Sequence, residues 1–328
     1  MKILYAIQGT GNGHISRARD IIPILLEKGE LDILVSGIQA DVQLNYPVKY
    51  KMNGLSFVFG KTGGIDLWQT FKRSNLRQLY KDIKSFPIQQ YDLVISDFEP
   101  ISSWACKFNK KKCIGLSHQA AVSNIHSPKP EQSDFVGKYI LQHYAPVHCA
   151  YSFHFQSYDK NIFTPIIRKH IRNLPTTIGN HYTVYLPAYG DQLIINVLSR
   201  IEGVYWEVFS KHSTTEIKIH NIHIRPINND DFVNSMANSI GVLCGAGFET
   251  PAEALYLKKK LMVIPMRGQY EQQCNAAALQ KMGVPVIDKL SIKNIEKIRN
   301  WTNETNIIAV DYEDNARLVV DLLINEQL

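Results

Sequence analysis

"KILYAIQGTGNGHISRARD" (2–20) begins as an apolar run, passes through three glycines at alternate positions, and reaches a histidine where helical periodicity starts. A β-rich run, a glycine turn and an amphipathic helix make the opening unit of a parallel α/β sheet. Ile15, Ala18, Ile22, Leu25 and Leu26 share one face of that helix. Pro23 lies inside it and removes the hydrogen bond to residue 19, so a kink or an early end is expected.

The glycine spacing decides between two ligands. A dinucleotide site has G-x-G-x-x-G and an acidic residue about 20 positions on, at the end of the second strand. Here the glycines are Gly9, Gly11 and Gly13, and the second strand ends in Ser36-Gly37. NAD is disfavoured on both counts. The turn still leaves the backbone bare at Gly11, Asn12 and Gly13, and the helix from His14 offers its amide groups to an anion or a polar ligand. His14 reads either as a residue that bonds its own loop or as a neutral imidazole that accepts a proton from a bound hydroxyl near pH 7.

The same pattern continues outward. Strands are expected at 2–7, 31–36, 55–59, 91–96, 112–117 and 151–156, then at 182–187, 204–209, 222–227, 240–244, 261–265 and 284–288. Helical stretches between them include 99–109, 190–201, 249–258, 270–282 and 311–327. Near-continuous apolar strands separated by helices mean parallel sheets covered on both faces. Two such series predict an α/β protein of two doubly wound Rossmann-like domains, 1–172 and 173–328, joined through "IRNLPTTIGNHY" (171–182). The last helix is free to cross back to the first domain.

At 328 residues the chain accommodates two such domains. Its net charge of +6 is a mild bias that fits an anionic small ligand or an anionic membrane surface and does not argue for nucleic acid. Cys106, Cys113, Cys149, Cys244 and Cys274 are scattered and odd in number, which speaks for reduced thiols in a cytoplasmic protein rather than a disulfide framework or zinc site. No signal-peptide pattern and no bilayer-length apolar run is expected.

Ligands of open α/β sheets bind at the loops after the strands. In the second half, "CGAGFETPAEAL" (244–255) follows a buried strand, so Gly245 and Gly247 free backbone amides for a diphosphate at a helix N-terminus. Thr250 and Glu253 share a face, and a carboxylate there can accept two hydrogen bonds from a ribose diol or merely favour the helix dipole. "PMRGQYEQQCNAA" (265–277) sets Glu271, Gln272 and Asn275 at the start of another helix, to read sugar hydroxyls or to solvate a turn.

Together these motifs resemble those of GT-B glycosyltransferases, the group that holds the peptidoglycan N-acetylglucosaminyltransferase MurG and the UDP-dependent glycosyltransferases. "GTGNGH" is similar to the MurG-type loop G-G-T-G-G-H, "GFETPAE" (247–253) to the donor-site G-x-x-T-x-x-E, and "EQQCNA" (271–276) to D-Q-x-x-N-A with Glu in place of Asp. The resemblance implies a two-domain GT-B enzyme that transfers a sugar, with inversion, from a nucleotide-sugar (UDP-linked) to an acceptor hydroxyl. His14 would be the base and Asp97 the acid that orients it, although Asp97 also reads as the cap of the helix after it. Gly247, Phe248 and Thr250, with Gly245, would face the diphosphate, Glu253 the ribose, and Glu271, Gln272 and Asn275 the donor sugar. Ile227, in "RPINNDDF", is the residue for backbone reading of uracil, and Gly190, in "PAYGDQ", the single glycine of a further phosphate loop. No cofactor and no metal is assigned; "NNDD" (228–231) is explained as a loop and helix cap.

The acceptor side remains open. The segment 59–86, Gly-rich and then basic with Trp68, Phe71, Leu76, Leu79 and Tyr80, either covers the first sheet or rests on anionic lipid at the inner face of the membrane to admit a lipid-linked or glycan acceptor. His118 and Gln119, in "LSHQAAVSN" (116–124), touch the acceptor or close a loop. Two alternatives stand beside the transferase: a nucleotide-sugar 2-epimerase of the same fold, and a catalytically silent nucleotide-sugar-binding protein.

Overall fold

The computed structural model describes residues 1–10, 12–37, 44–54, 75–132 and 134–326. Its first sheet contains β1 (Lys2–Gln8), β2 (Glu30–Ser36), β3 (Tyr50–Met52), β4 (Leu93–Asp97), β5 (Ile114–Ser117), β6 (Cys149–Phe153) and β7 (Ile162–Phe163). They run in the order β3-β2-β1-β4-β5-β6-β7, and every pairing is parallel. The helices of this half are α1 (Asn12–Leu26), α2 (Leu76–Ser85), α3 (Pro100–Phe108), α4 (His118–Ser123), α5 (Phe135–His143) and α6 (Lys169–Arg172).

The second sheet contains β8 (His181–Tyr185), β9 (Tyr205–Ser210), β10 (Ile217–Ile219), β11 (Ile222–Pro226), β12 (Gly241–Gly245) and β13 (Lys260–Ile264), in the order β10-β11-β9-β8-β12-β13. Only the edge strand β10 is antiparallel. Around it lie α7 (Asp191–Leu198), α8 (Asn229–Asn238), α9 (Glu249–Tyr256), α10 (Tyr270–Lys281), α11 (Ile295–Asn303) and α12 (Ala316–Asn325).

In each sheet the strand order reverses at one place, between β1 and β4 in the first and between β8 and β12 in the second. The crevice at the carboxyl ends of such strands is where open sheets receive ligands. At or just beyond the carboxyl ends of β1, β4, β8 and β12 lie His14, Asp97, Gly190 and Gly245 to Phe248. Topology thus sets the candidate residues at two reversal points.

Several expectations are corrected. The run 284–288 makes a single parallel bridge, Val263 with Val286, instead of a strand. Pro285 lacks a donor for a longer ladder. The strand expected at 55–59 and most of the segment 59–86 lie outside the described residues; its described end is α2, which packs Ile83 and Leu79 against Ile101 and Trp104 under the first sheet. Pro23 does not end α1, which runs three residues further to Leu26. Leu26 is 50% exposed rather than part of the buried face. The last helix crosses back: α12 packs on α1, with Arg317 paired to Glu27 and Lys28 to Asp321. All five cysteines are free, and no helix of the described residues is long and apolar enough to cross a membrane.

Candidate active site

α1 is fixed by burial of Ile15, Ile21, Ile22 and Leu25. Four such side chains are worth about 6–12 kcal/mol as an upper value. That anchorage sets His14, two residues into the helix, at the mouth of the crevice. Its Nδ1–H donates to Asp97 Oδ1 at 2.7 Å. The carboxylate can only accept, so the proton lies on Nδ1 and the Nε2 lone pair is left to face outward. Gln119 Nε2 approaches that nitrogen at 3.4 Å and also donates to Glu271 Oε2 at 3.1 Å.

Asp97 is wholly buried. Burial acts to raise its pKa, but the charges of Arg17 and His14 together outweigh it and hold the carboxyl below its ordinary value. The helix after it is capped by Glu99, whose oxygens accept from the amides of Ile101 (2.8 Å) and Ser102 (2.7 Å). Asp97 is therefore free of capping and points at the imidazole. Between the two acids Phe98 takes φ 57°, a left-handed conformation that a bulky residue adopts at a cost of about 1–3 kcal/mol. Its ring packs on Tyr144 at 4.8 Å, and the Glu99 network locks the other side of the turn.

A cavity of about 320 Å³ opens from His14 between the halves. One wall is polar, with Gln8, Gln119 and Glu271; the other is apolar, with Phe98, Val136 and Ile140. Among the described residues neither lysine nor arginine lines it, while Asp134 and Glu271 do. Gly137 lets α5 meet α10 at the rim: a Cβ there would lie 2.4 Å from Tyr270 Cβ.

The donor-side residues divide into two groups. A Cβ built on Gly190 or Gly247 meets nothing within 4 Å, so both stand beside open space at the starts of α7 and α9. Gly245 has Gln272 Oε1 at 3.6 Å from such an atom, and Thr250 is half-buried on the first turn of α9. Ile227 is exposed, but its amide is already given to Ser210 O at 3.0 Å, which leaves its carbonyl as the group available for reading a base. Gln272 accepts from the Met266 amide at 2.9 Å. Asp230 and Asp231 lie in the first turn of α8, with Asn228 accepting from both amides, and among the described residues no cluster of three metal-ligating side chains forms.

Three residues are placed otherwise than expected. Glu253 is 2% exposed and both oxygens are taken by Arg168, through Nε (2.5 Å) and a terminal nitrogen (2.8 Å). Its carboxylate is not presented to a diol. His118 and Asn275 are also buried, and they bond each other at 2.8 Å across the halves. His118 further donates to Phe153 O at 2.7 Å and stacks on Phe248, with ring centroids 3.8 Å apart. These two side chains join the halves rather than face the cavity. Asn12 opens α1 and Gly13 abuts Glu249, whereas Gly11 lies outside the described residues.

Arg17, Arg168 and Glu249 were missed by the sequence reading. A usable signal existed for Arg17: a cation among the apolar positions of α1, three residues after His14. Glu249 and Arg168 carry no local mark.

The family described as Glycosyl transferase family 1 matches residues 1–304. A search of curated proteins finds no match. Among solved structures, the glycotransferase of kitacinnamycin is similar with a TM-score of 0.60 at 11% identity, over 100% of this chain and 99% of that one. MurG of Acinetobacter baumannii gives 0.58 at 13%, over 99% and 100%. UGT89C1 of Arabidopsis thaliana gives 0.59 at 12%, over 99% and 94%. These likenesses carry the fold: two facing, parallel-dominated α/β sheets in the GT-B arrangement.

Proposed function

The chain belongs to glycosyl transferase family 1, and we propose that it moves a sugar from a UDP-linked donor to an uncharged acceptor hydroxyl with inversion, His14 serving as the base. The observation that carries this reading is the His14–Asp97 pair at 2.7 Å, set at a strand-order reversal and open to the cavity between the halves. Nε2 takes the hydroxyl proton as the oxygen forms its bond to the anomeric carbon. The bond from that carbon to the diphosphate breaks on the opposite face, and its electron pair leaves with UDP. Asp97 stabilises the imidazolium so formed. The open ground beside Gly190 and Gly247 receives the departing diphosphate at two helix N-termini, whose amides offset the developing charge. A further structure of UGT89C1 is complexed with UDP, which supports this choice of donor. Glu253 meets the ribose only if its buried carboxylate is uncovered, since Arg168 uses one acceptor site on each oxygen and leaves one on each.

The walls of the cavity favour an acceptor class. About 320 Å³ lies at the small end of ligand pockets and suits one compact body with an apolar face. Two carboxylates, with no cation among the described lining residues, oppose a phosphate held inside it. Any lipid anchor would lie outside. For that we propose α2 and its neighbour: Leu76, Tyr80 and Phe108 are 43%, 56% and 45% exposed beside Arg77, Lys81, Lys84 and Lys107. Sedimentation with phosphatidylglycerol vesicles, against phosphatidylcholine, checks that contact, and equal recovery from both rejects it.

Calorimetric titration with UDP, with NAD as control, followed by UDP-sugar turnover on wild type and His14→Ala, tests the whole. UDP binding without NAD binding, and turnover lost with His14, is expected. Consumption of UDP-N-acetylglucosamine alone to an epimer would favour the epimerase instead. Binding without turnover, indifferent to His14, would mark a silent binding protein.

A further inference from the structure

Arg17 lies one turn beyond His14 on α1, with 2% of its side chain exposed. Its guanidinium sits between two carboxylates from different halves. One terminal nitrogen donates to both oxygens of Asp97, at 2.8 Å each. The other donates to Glu249 Oε1 at 2.6 Å. Asp97 ends β4 of the first sheet, whereas Glu249 opens α9 of the second. Gly13 admits this contact, since a Cβ there would lie 3.0 Å from Glu249 Cγ.

Of the two Asp97 oxygens that Arg17 reaches, Oδ1 also receives His14 Nδ1–H. Arg17 comes to 3.3 Å from that ring nitrogen, so two donors converge on one acceptor atom. A guanidinium drawn wholly toward Asp97 would take the oxygen that orients the imidazole. Glu249 pulls it the other way and offsets its charge. We propose that Arg17 is a positioning residue through which closure of the second half over the first, by way of Glu249, sets the orientation and basicity of His14. The proposal rests on reading His14 as the base. With the halves apart, Arg17 keeps Asp97 as its one carboxylate, and losing the Glu249 charge from beside the ring disfavours the second proton, so the base reaches full strength only when donor and acceptor are enclosed. Donor loss to water is thereby suppressed.

The groups facing this cluster are Tyr5 from β1, His14 from α1, Asp97 from β4, Arg168 from the segment before α6, and Glu253 one turn along α9. Burial pushes Glu249 up to about 7, with Arg17 lowering it and Glu253 raising it, so the link itself responds to pH near neutrality.

The test follows the imidazole directly. Proteins labelled with ¹³C-histidine, as wild type, Glu249→Gln, Glu249→Asp and Arg17→Lys, are titrated by NMR, with His14→Gln to assign the resonance. Glu249→Gln is expected to move the His14 midpoint to lower pH by on the order of one unit. Glu249→Asp, too short to reach, should move it the same way, which covers a failure of one variant to fold. Arg17→Lys cannot bridge two carboxylates as a fork does, and it should lower kcat for UDP-glucose hydrolysis at least tenfold with KM within twofold. A His14 midpoint in folded Glu249→Gln equal to wild type would overturn the proposal. UDP titration of the same samples keeps the readings apart: wild type that fails to bind UDP removes the donor assignment and leaves the His14 result standing.

Discussion

Arg168→Met is the perturbation whose size follows most directly from the structure. Glu253 is 2% exposed and receives two charge-assisted hydrogen bonds from Arg168, which itself keeps a third to Asn229 at 2.9 Å. Removing the guanidinium strands a carboxylate that water cannot reach, a loss of about 3–5 kcal/mol. Glu253→Gln is milder, because the amide oxygen still accepts from Arg168 and Asn229 remains; about 1–3 kcal/mol is expected. In the double variant neither charge is left unpaired, so its loss should fall well short of the sum. Urea unfolding reads this by tryptophan fluorescence, with Trp206 and Trp301 both buried in the second core. The same samples titrated with UDP separate the two candidate ligands of the nucleotide. If Glu253 grips the ribose, Glu253→Gln weakens UDP by about 1–3 kcal/mol, roughly five- to 150-fold, while Arg168→Met binds at least as tightly as wild type. Unchanged stability in Arg168→Met would refute the buried pair. UDP weakened by Arg168→Met and unchanged by Glu253→Gln would mean that Arg168, and not Glu253, meets the nucleotide.

Asp97→Asn keeps the shape but leaves Arg17 beside His14 without its first carboxylate; kcat for UDP-sugar hydrolysis should fall about 10²–10⁴-fold with UDP affinity unchanged, and retention of a tenth of the rate would sink the role given to Asp97. Gly247→Ala meets nothing among the described residues, so thermal stability should stay within about 0.5 kcal/mol while UDP affinity drops; intact affinity would mean the open space is not the diphosphate site. Glu249 is pushed up to about 7, chiefly by burial. Its folded state binds a proton more readily than its unfolded state, so its contribution makes stability fall as pH rises from about 4.5 to about 7, by on the order of 2–3 kcal/mol. Urea midpoints of wild type and Glu249→Gln across that window should converge at the acid end, and parallel curves would contradict the raised pKa.

Strand ends are local signals, and the parts of the site that sit on them were legible. His14 follows an apolar run and a glycine turn, and Asp97 closes "YDLVISD", so both could be placed at a sheet's carboxyl edge without knowing the fold. What the turn after β4 does was not legible. It holds two acids, Asp97 and Glu99, and the choice of Glu99 as the cap depends on Phe98 taking a left-handed φ that its side chain disfavours. Partners were harder still. Arg17 meets Asp97 80 positions on and Glu249 232 positions on, and Arg168 meets Glu253 85 positions on. Such pairs are set by how the two halves face each other, which no window of sequence contains. Motif spacing placed Glu253 and Asn275 near the crevice, but burial by Arg168 and His118 decided what they touch. The helix α5 has no buried residue, so its pattern gave no core face to read, yet it forms the apolar wall of the cavity.

Three side-chain pairs cross the crevice close to the cavity. Arg17 with Glu249, Gln119 with Glu271 and His118 with Asn275 are polar, and water can replace each when the halves part. A hydrogen bond exchanged for water changes stability by about 0.5–1.5 kcal/mol, so Gln119–Glu271 adds little to holding the halves together, whereas the buried Arg168–Glu253 pair, also drawn from both halves, adds more. The permanent connection lies elsewhere, in α12, whose Val319, Val320 and Leu323 are buried where it packs on α1. Apolar contact keeps the tail fixed to the first half, while the cleft is held by polar contacts together with the stacking of His118 on Phe248 and the packing of Val122 with Tyr270 and Cys274. A ligand that inserts its own hydroxyls and phosphates into the cleft competes for the same donors and acceptors that close it. On the proposed reading a ligand competes with the bond between Gln119 and Glu271, and substitutions at these two positions should change ligand affinity with little change in stability.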